Sequence, residues 1–378
     1  MDNSKNNNVT KTKIVNSYIG GKIRNFFFIT LVLHQKKWLH LILFVLTFVS
    51  CMISGVAFIG NKDPFDLLNI ELGLEYALLL MFFLSAHEFG HYIAAKIHKV
   101  DVTLPYYIPF PISPIAPISF GTMGALIRIK GQIPNKKALF DIGVAGPLAG
   151  FLVCMFYLVY GVITLPPIEY LYNIHPNYYT TGIDSKGFYF GDNLLFLITK
   201  LLVNKDVFFP PMNEIYHYPY LNIAWFGMFV TALNMLPIGQ LDGGHITYAM
   251  FGDKQHKLGK IFWWFIFLIG LASTIKFLVS MIIQHDEFLL NYINFNFYEY
   301  ILKIATYINN EFDFLINGWN GWLLWALIGK FLIKIKHPPI NDNSEIGTTR
   351  MIIGYVSLII FILCFSYTGL YFFPYQMF

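Results

Sequence analysis

His87-Glu88-Phe89-Gly90-His91 lies inside a run of apolar residues, so three ionisable side chains stand where hydrocarbon would be the natural surrounding. A charged group at bilayer depth costs roughly 2.5–3.5 kcal/mol on insertion scales, and such residues mark functional positions. In a helix, His87 and His91 are one turn apart on one face, where both imidazoles can reach one zinc ion. Glu88 then points about a quarter-turn away, beside the metal, where a carboxylate can take a proton from an attacking water.

A hydrolytic zinc site has three protein ligands and an open position. The third is sought among acids that topology can bring to the same depth. Asp242 fits: in Asn234-Met-Leu-Pro-Ile-Gly-Gln-Leu-Asp242-Gly-Gly-His245, one proline and three glycines surround it. Broken helices of this kind are tolerated at membrane depth where they line a cavity. The alternative for Asp242 is a cap in a helix-ending turn with glycines at positive φ. Asn234 could donate an amide hydrogen to the oxyanion formed when water attacks a peptide carbonyl, or could merely bridge helices. His245 is read as a neighbour of the site and not as a ligand.

The elements that must position these residues follow from composition. Of 378 residues, 56% are hydrophobic and 13% charged, which describes an integral membrane protein. The net charge of +4 is small and sorted by membrane side, so nucleic acid is not an implied partner. The three cysteines fall in apolar runs and are read as packing residues.

About seven transmembrane spans are expected: 38–60, 73–97 with the His-Glu motif, 139–165, 220–237, 261–283, 314–335 and 351–373. Residues 1–37 read as a basic cytoplasmic tail and 38–60 as an additional N-terminal helix acting as a signal anchor. Residues 73–250 form the core, including an extracytoplasmic loop at 166–219, and 251–378 form a C-terminal region with three helices. Prolines 105, 109, 111, 114 and 117 exclude a helix after the second span. The glycine-marked, β-prone stretch 120–133 is expected to form a hairpin against the membrane face. In the third span, Gly146 and Gly150 flank Pro147 and permit close helix approach, read either as packing alone or as substrate access.

With the tail inside, Lys96, Lys99, Arg128, Lys130, Lys136, Lys254, Lys334 and Lys336 also fall inside, and acid-rich loops fall outside. The His-Glu motif and Asp242 then share the cytoplasmic half of the bilayer. The fold class is an all-α polytopic membrane protein with a three-helix core and a membrane-associated β-hairpin. Its expected home is a bacterial-type plasma (inner) membrane.

HEFGH in one membrane helix, GPLAG in the next and NMLPIGQLDGGH in a later one together resemble the site-2 protease family of intramembrane zinc metalloproteases. The resemblance covers residues 73–250. It implies peptide-bond hydrolysis within the membrane, usually of a single-span protein already trimmed by another protease, as in regulated intramembrane proteolysis. It implies His87, His91 and Asp242 as ligands to one zinc ion, Glu88 as the catalytic acid and base, and Asn234 as a transition-state donor. The loop 166–219 is too short for the PDZ domain of many bacterial members, so the chain looks more like the PDZ-free bacterial and chloroplast-type branch. The alternative is a zinc-binding membrane scaffold or chaperone on the same fold, which would not need Glu88. A zinc transporter would place ionisable groups at midplane in several helices, and the last three spans lack them.

Overall fold

In the computed structural model, residues 37–113, 118–204, 206–284, 299–300, 303–304, 307, 318–340, 342 and 344–373 are described. The basic tail before Lys37, most of the stretch between the predicted fifth and sixth spans and the start of the sixth span lie outside them. Among the described residues, four helices are long and apolar enough to cross a membrane, including the one that carries the His-Glu motif.

Helix α1 spans Lys37–Gly60, and a 3₁₀ turn at Leu67–Gly73 leads into α2, Leu74–Ile97. Strands β1, Tyr106–Phe110, and β2, Gly121–Leu126, pair antiparallel before α3, Lys136–Ile163. The expected hairpin is therefore present, but its first strand comes from the proline-rich stretch. Pro109 has no N–H to give to a ladder, and the register shifts between Tyr107 and Pro109 to accommodate it. The hairpin is tied to α2 by the Ser85 and Tyr107 hydroxyls, 2.7 Å apart, and by Tyr76 Oη donating to the Phe120 carbonyl at 3.2 Å.

The loop 166–219 carries short helices at Glu169–Ile174, Tyr178–Thr181 and Leu194–Leu202, strand β3 at Gly187–Phe190, and a 3₁₀ turn at Ile215–His217. Helices α4, Pro219–Asn234, and α5, Asp242–Phe251, follow, separated by an unwound stretch. Helix α6 is Lys254–Gln284, α7 is Gly321–Ile328 continued by a π-helical turn at Gly329–Ile333, and α8 is Thr348–Cys364.

The expectation of seven spans is met only in part. Helix α4 has 16 residues and α8 has 17, each below the roughly 20 that cross 30 Å of hydrocarbon untilted. The predicted last span also ends early. Residues Leu370–Phe373 form strand β4 and pair antiparallel with β3, stacking Tyr189 on Tyr371. An aromatic tetrapeptide reads as membrane helix by hydropathy and as strand by propensity, and here a partner in the distant loop decides.

The core lies where α2, α3 and α4 pack together. Trp225, Phe83, Phe140 and Leu80 are fully buried there, and Trp225 Nε1 donates to the Gly191 carbonyl at 2.7 Å, which anchors the loop to α4. All three cysteines are buried and free.

Candidate metal centre

Helix α2 carries His87, Glu88 and His91, all buried, as its spacing requires. The helix can approach α3 closely because Gly90 faces the backbone of Ala145 and Gly146. A side chain at 90 would collide with the Ala145 carbonyl, and one at 146 with the His91 ring. Gly150, one turn on, sits against Phe83 and His87. The glycines of GPLAG thus make room for the two imidazoles themselves, beyond either of the alternatives read from their spacing.

Pro147 interrupts α3 at the same place, leaving the Gly143 carbonyl without its helical N–H partner and loosening the turn. In that turn the Ile142 carbonyl lies 2.6 Å from His91 Nδ1. A carbonyl only accepts, so Nδ1 carries the proton and Nε2 presents its lone pair to the site.

Asp242 arrives from the far side. Helix α4 ends at Asn234, the chain turns through Gly239 at φ +51°, and Asp242 opens α5. The motif is therefore a helix start, in contrast to the helix-ending turn considered as an alternative. Gly243 and Gly244 are helical, and their role is spatial, since side chains there would strike the carbonyls of Met235 and Gly239.

His87 Nε2 and His91 Nε2 stand 3.1 Å apart, and Asp242 Oδ2 lies 3.4 Å from each. Ligands placed tetrahedrally around zinc at about 2.0–2.1 Å are roughly 3.3 Å from one another. The two nitrogens and the oxygen therefore converge on a point that fits one zinc ion, and together they form a group able to hold a metal. Asn234 Nδ2 reaches to 3.4 Å from His87 Nε2, so the amide borders the same point. A cavity of about 230 Å³ opens onto the group and is lined by Glu88, Asn234 and residues 125–127 at the end of β2. The Ile127 amide lies beside the Glu88 carboxylate. The five side chains read from the sequence are thus brought together from α2, the end of α4 and the start of α5.

His245 also borders the cavity, and its Nδ1 lies 2.8 Å from Nε2 of His337 in the turn after the π-helical segment. His337 in turn donates Nδ1–H to the Pro338 carbonyl and its backbone N–H to Gln255 Oε1 on α6, so the His245–His337 contact latches a braced C-terminal turn to α5. Sequence reasoning missed this latch. It also missed a second buried group, His175, Glu214 and His217, in the loop before α4. There burial pushes Glu214 up to about 7, and burial followed by the neighbouring His175 pushes His217 down to about 4. A 42-residue separation in a loop without periodicity gives no pattern to detect; only the Glu214–His217 spacing within one turn was visible.

No solved structure matches the chain. Among curated proteins, a rice protein (Oryza sativa subsp. indica) named "Probable zinc metalloprotease EGY2, chloroplastic" is 30% identical over 221 residues, covering 56% of this chain and 36% of the relative. An Arabidopsis thaliana protein named "Probable zinc metalloprotease EGY1, chloroplastic" is 28% identical over 234 residues, covering 57% of this chain and 40% of the relative. The chain thus matches less than half the length of these relatives. The model of "Peptidase family M50", the site-2 protease family, matches residues 75–275, a segment that runs from the start of α2 into α6 and contains every residue of the centre. That segment is more than half of the 378-residue chain, and the chain belongs to peptidase family M50.

Proposed function

We propose that this chain is an intramembrane zinc metalloprotease that hydrolyses peptide bonds in or near the transmembrane segments of membrane-protein substrates. The single observation that carries the reading is the convergence of His87, His91 and Asp242, with Glu88 and Asn234 at the same cavity, the two histidines and Glu88 standing on a helix long and apolar enough to cross a membrane.

When bound, zinc supplies a Lewis acid that polarises a carbonyl and acidifies water. The remaining steps fall to the chain. Glu88 accepts the proton of the attacking water and passes it to the departing amine, so one carboxylate serves as base and then as acid. Asn234 donates to the oxygen that gains charge as the carbonyl is attacked. His91 is held in register by the Ile142 carbonyl. A helical substrate hides its carbonyls in its own hydrogen bonds and must be unwound locally. Residues 125–127 line the cavity and offer a strand end to which an extended segment can add.

In this reading residues 73–250 form the catalytic core, the seven apolar segments lie in the membrane with the last of them ending at α8, and the lysine-rich tail sits on the cytoplasmic side. The substrate is a single-span protein trimmed first by another protease. The test is cleavage of a transmembrane-helix reporter by the purified chain in detergent, its loss on treatment with a zinc chelator, and its return when zinc is added. Cleavage that survives the chelator would contradict the reading.

A further inference from the structure

His175, Glu214 and His217 repeat the geometry of the metal centre at the opposite end of α4. His217 lies two residues before α4 and Asn234 ends it, so a 16-residue helix rising 1.5 Å per residue separates the two groups by roughly 24 Å. His175 Nε2 and His217 Nε2 are 2.9 Å apart. Glu214 Oε2 lies 3.7 Å from the first and 3.5 Å from the second. These separations bracket the roughly 3.3 Å expected between tetrahedral zinc ligands.

The surroundings hold the three side chains in place. Glu214 Oε1 accepts from Tyr178 Oη at 2.8 Å and from Asn213 Nδ2 at 3.2 Å, which fixes the carboxylate and turns Oε2 towards the histidines. His217 Nδ1 lies 3.2 Å from the Ile59 carbonyl near the end of α1. That carbonyl only accepts, so Nδ1 carries the proton and Nε2 offers its lone pair inward, as in His91. The Glu214 and His217 side chains are 3% and 0% exposed, and His175, at 16%, leaves a route to the surface.

Hydrogen bonds alone do not satisfy this arrangement. His175 Nε2–H can donate to His217 Nε2, but Glu214 Oε2 then remains buried without a partner. Both histidine distances from that oxygen exceed 3.2 Å, the usual limit for an N–H···O bond. A buried carboxylate oxygen without a donor is costly, and a cation at the centre satisfies all three atoms at once. Two imidazoles and one carboxylate suit zinc better than calcium or magnesium, which take mainly oxygen ligands.

We propose that His175, Glu214 and His217 bind a second zinc ion, which cross-links the two ends of the loop 166–219 while His217 also bonds the end of α1 through the Ile59 carbonyl. The ion is distinct from the one in the family's catalytic motif, and the proposal does not depend on peptide cleavage.

The test is zinc content of the purified full chain after equilibration in a zinc-buffered detergent solution. Two ions per wild-type chain are expected, one in His91→Ala, one in His175→Ala and none when both are replaced. His175 is the partly exposed ligand, so its loss disturbs packing least; Glu214→Gln, which keeps the side-chain volume, is expected to give one ion as well. Cobalt loading of His91→Ala should give the visible absorption of a low-symmetry site, absent after His175→Ala. A zinc content that His175→Ala leaves unchanged from the wild type would overturn the proposal, and so would a His91→Ala chain that holds none.

Discussion

Replacing Gly146 by alanine should empty the metal centre without replacing a ligand. A methyl group at this position would overlap His91 at Nε2, Cδ2 and Cε1, well inside the 3.0 Å that real Cβ contacts respect. Restoring ordinary contact requires the ring to retreat by roughly 1 Å or more, because a packed helix interface has no void to absorb the methyl. Metal ligands tolerate only about ±0.2 Å around their bond lengths. Disturbing the support of a ligand typically weakens metal binding 10–100-fold, and displacing the ligand itself should reach at least about 100-fold. Gly150→Ala is the matched control: its methyl would stand 3.1 Å from Phe83 and 3.3 Å from His87 Nδ1, a tight fit that a small ring rotation relieves. The assay is zinc competition against a chelating dye, made in a His175→Ala background so that only this centre is counted. A folded Gly146→Ala chain with the affinity of its parent would refute the claim that the glycine exists to seat His91.

Three further outcomes follow from the same geometry. Asn234→Ala should keep its zinc and lose about 100-fold in cleavage rate, the usual effect of removing one oxyanion donor; an unchanged rate would return Asn234 to a packing role. Ala125→Pro should retain zinc but cut helical substrates roughly tenfold more slowly or worse, since a strand edge without its N–H cannot add a strand. Arg350, whose Nε and Nη2 each bond Asp141 at 2.8 Å, ties α8 to α3. Both side chains are about a third exposed, so Arg350→Ala should cost only about 1 kcal/mol and lower the melting temperature by a few degrees, read by thermal unfolding in detergent.

The centre was legible because its chemistry is written in short-range spacing and in depth. His87 and His91 are one turn apart in any helix, and the proline and glycines around Asp242 set that acid apart as the third candidate. What Gly146 faces was not legible: spacing announces a close approach but does not say that the approaching group is an imidazole. The hairpin was visible in the glycines and β-branched residues of 120–133, whereas its partner strand was hidden because prolines argue against strands. The last spans were overestimated for a related reason. Hydropathy gives Leu370–Phe373 to the membrane, and only the pairing with Gly187–Phe190, some 180 residues earlier, makes it a strand. The His175–Glu214–His217 group depends on the same kind of distant closure, through a loop whose local sequence carries no period.

The central claim is that Glu88 performs the chemistry while His87, His91 and Asp242 hold the metal. Wild-type protein and Glu88→Gln should be compared for zinc content and for cleavage of a transmembrane-helix reporter in the same preparation. Equal zinc in both, with cleavage reduced by about 100-fold to 10,000-fold in Glu88→Gln, is the predicted result, since that is what general acid–base catalysis contributes. Equal zinc and undiminished cleavage in Glu88→Gln would contradict it.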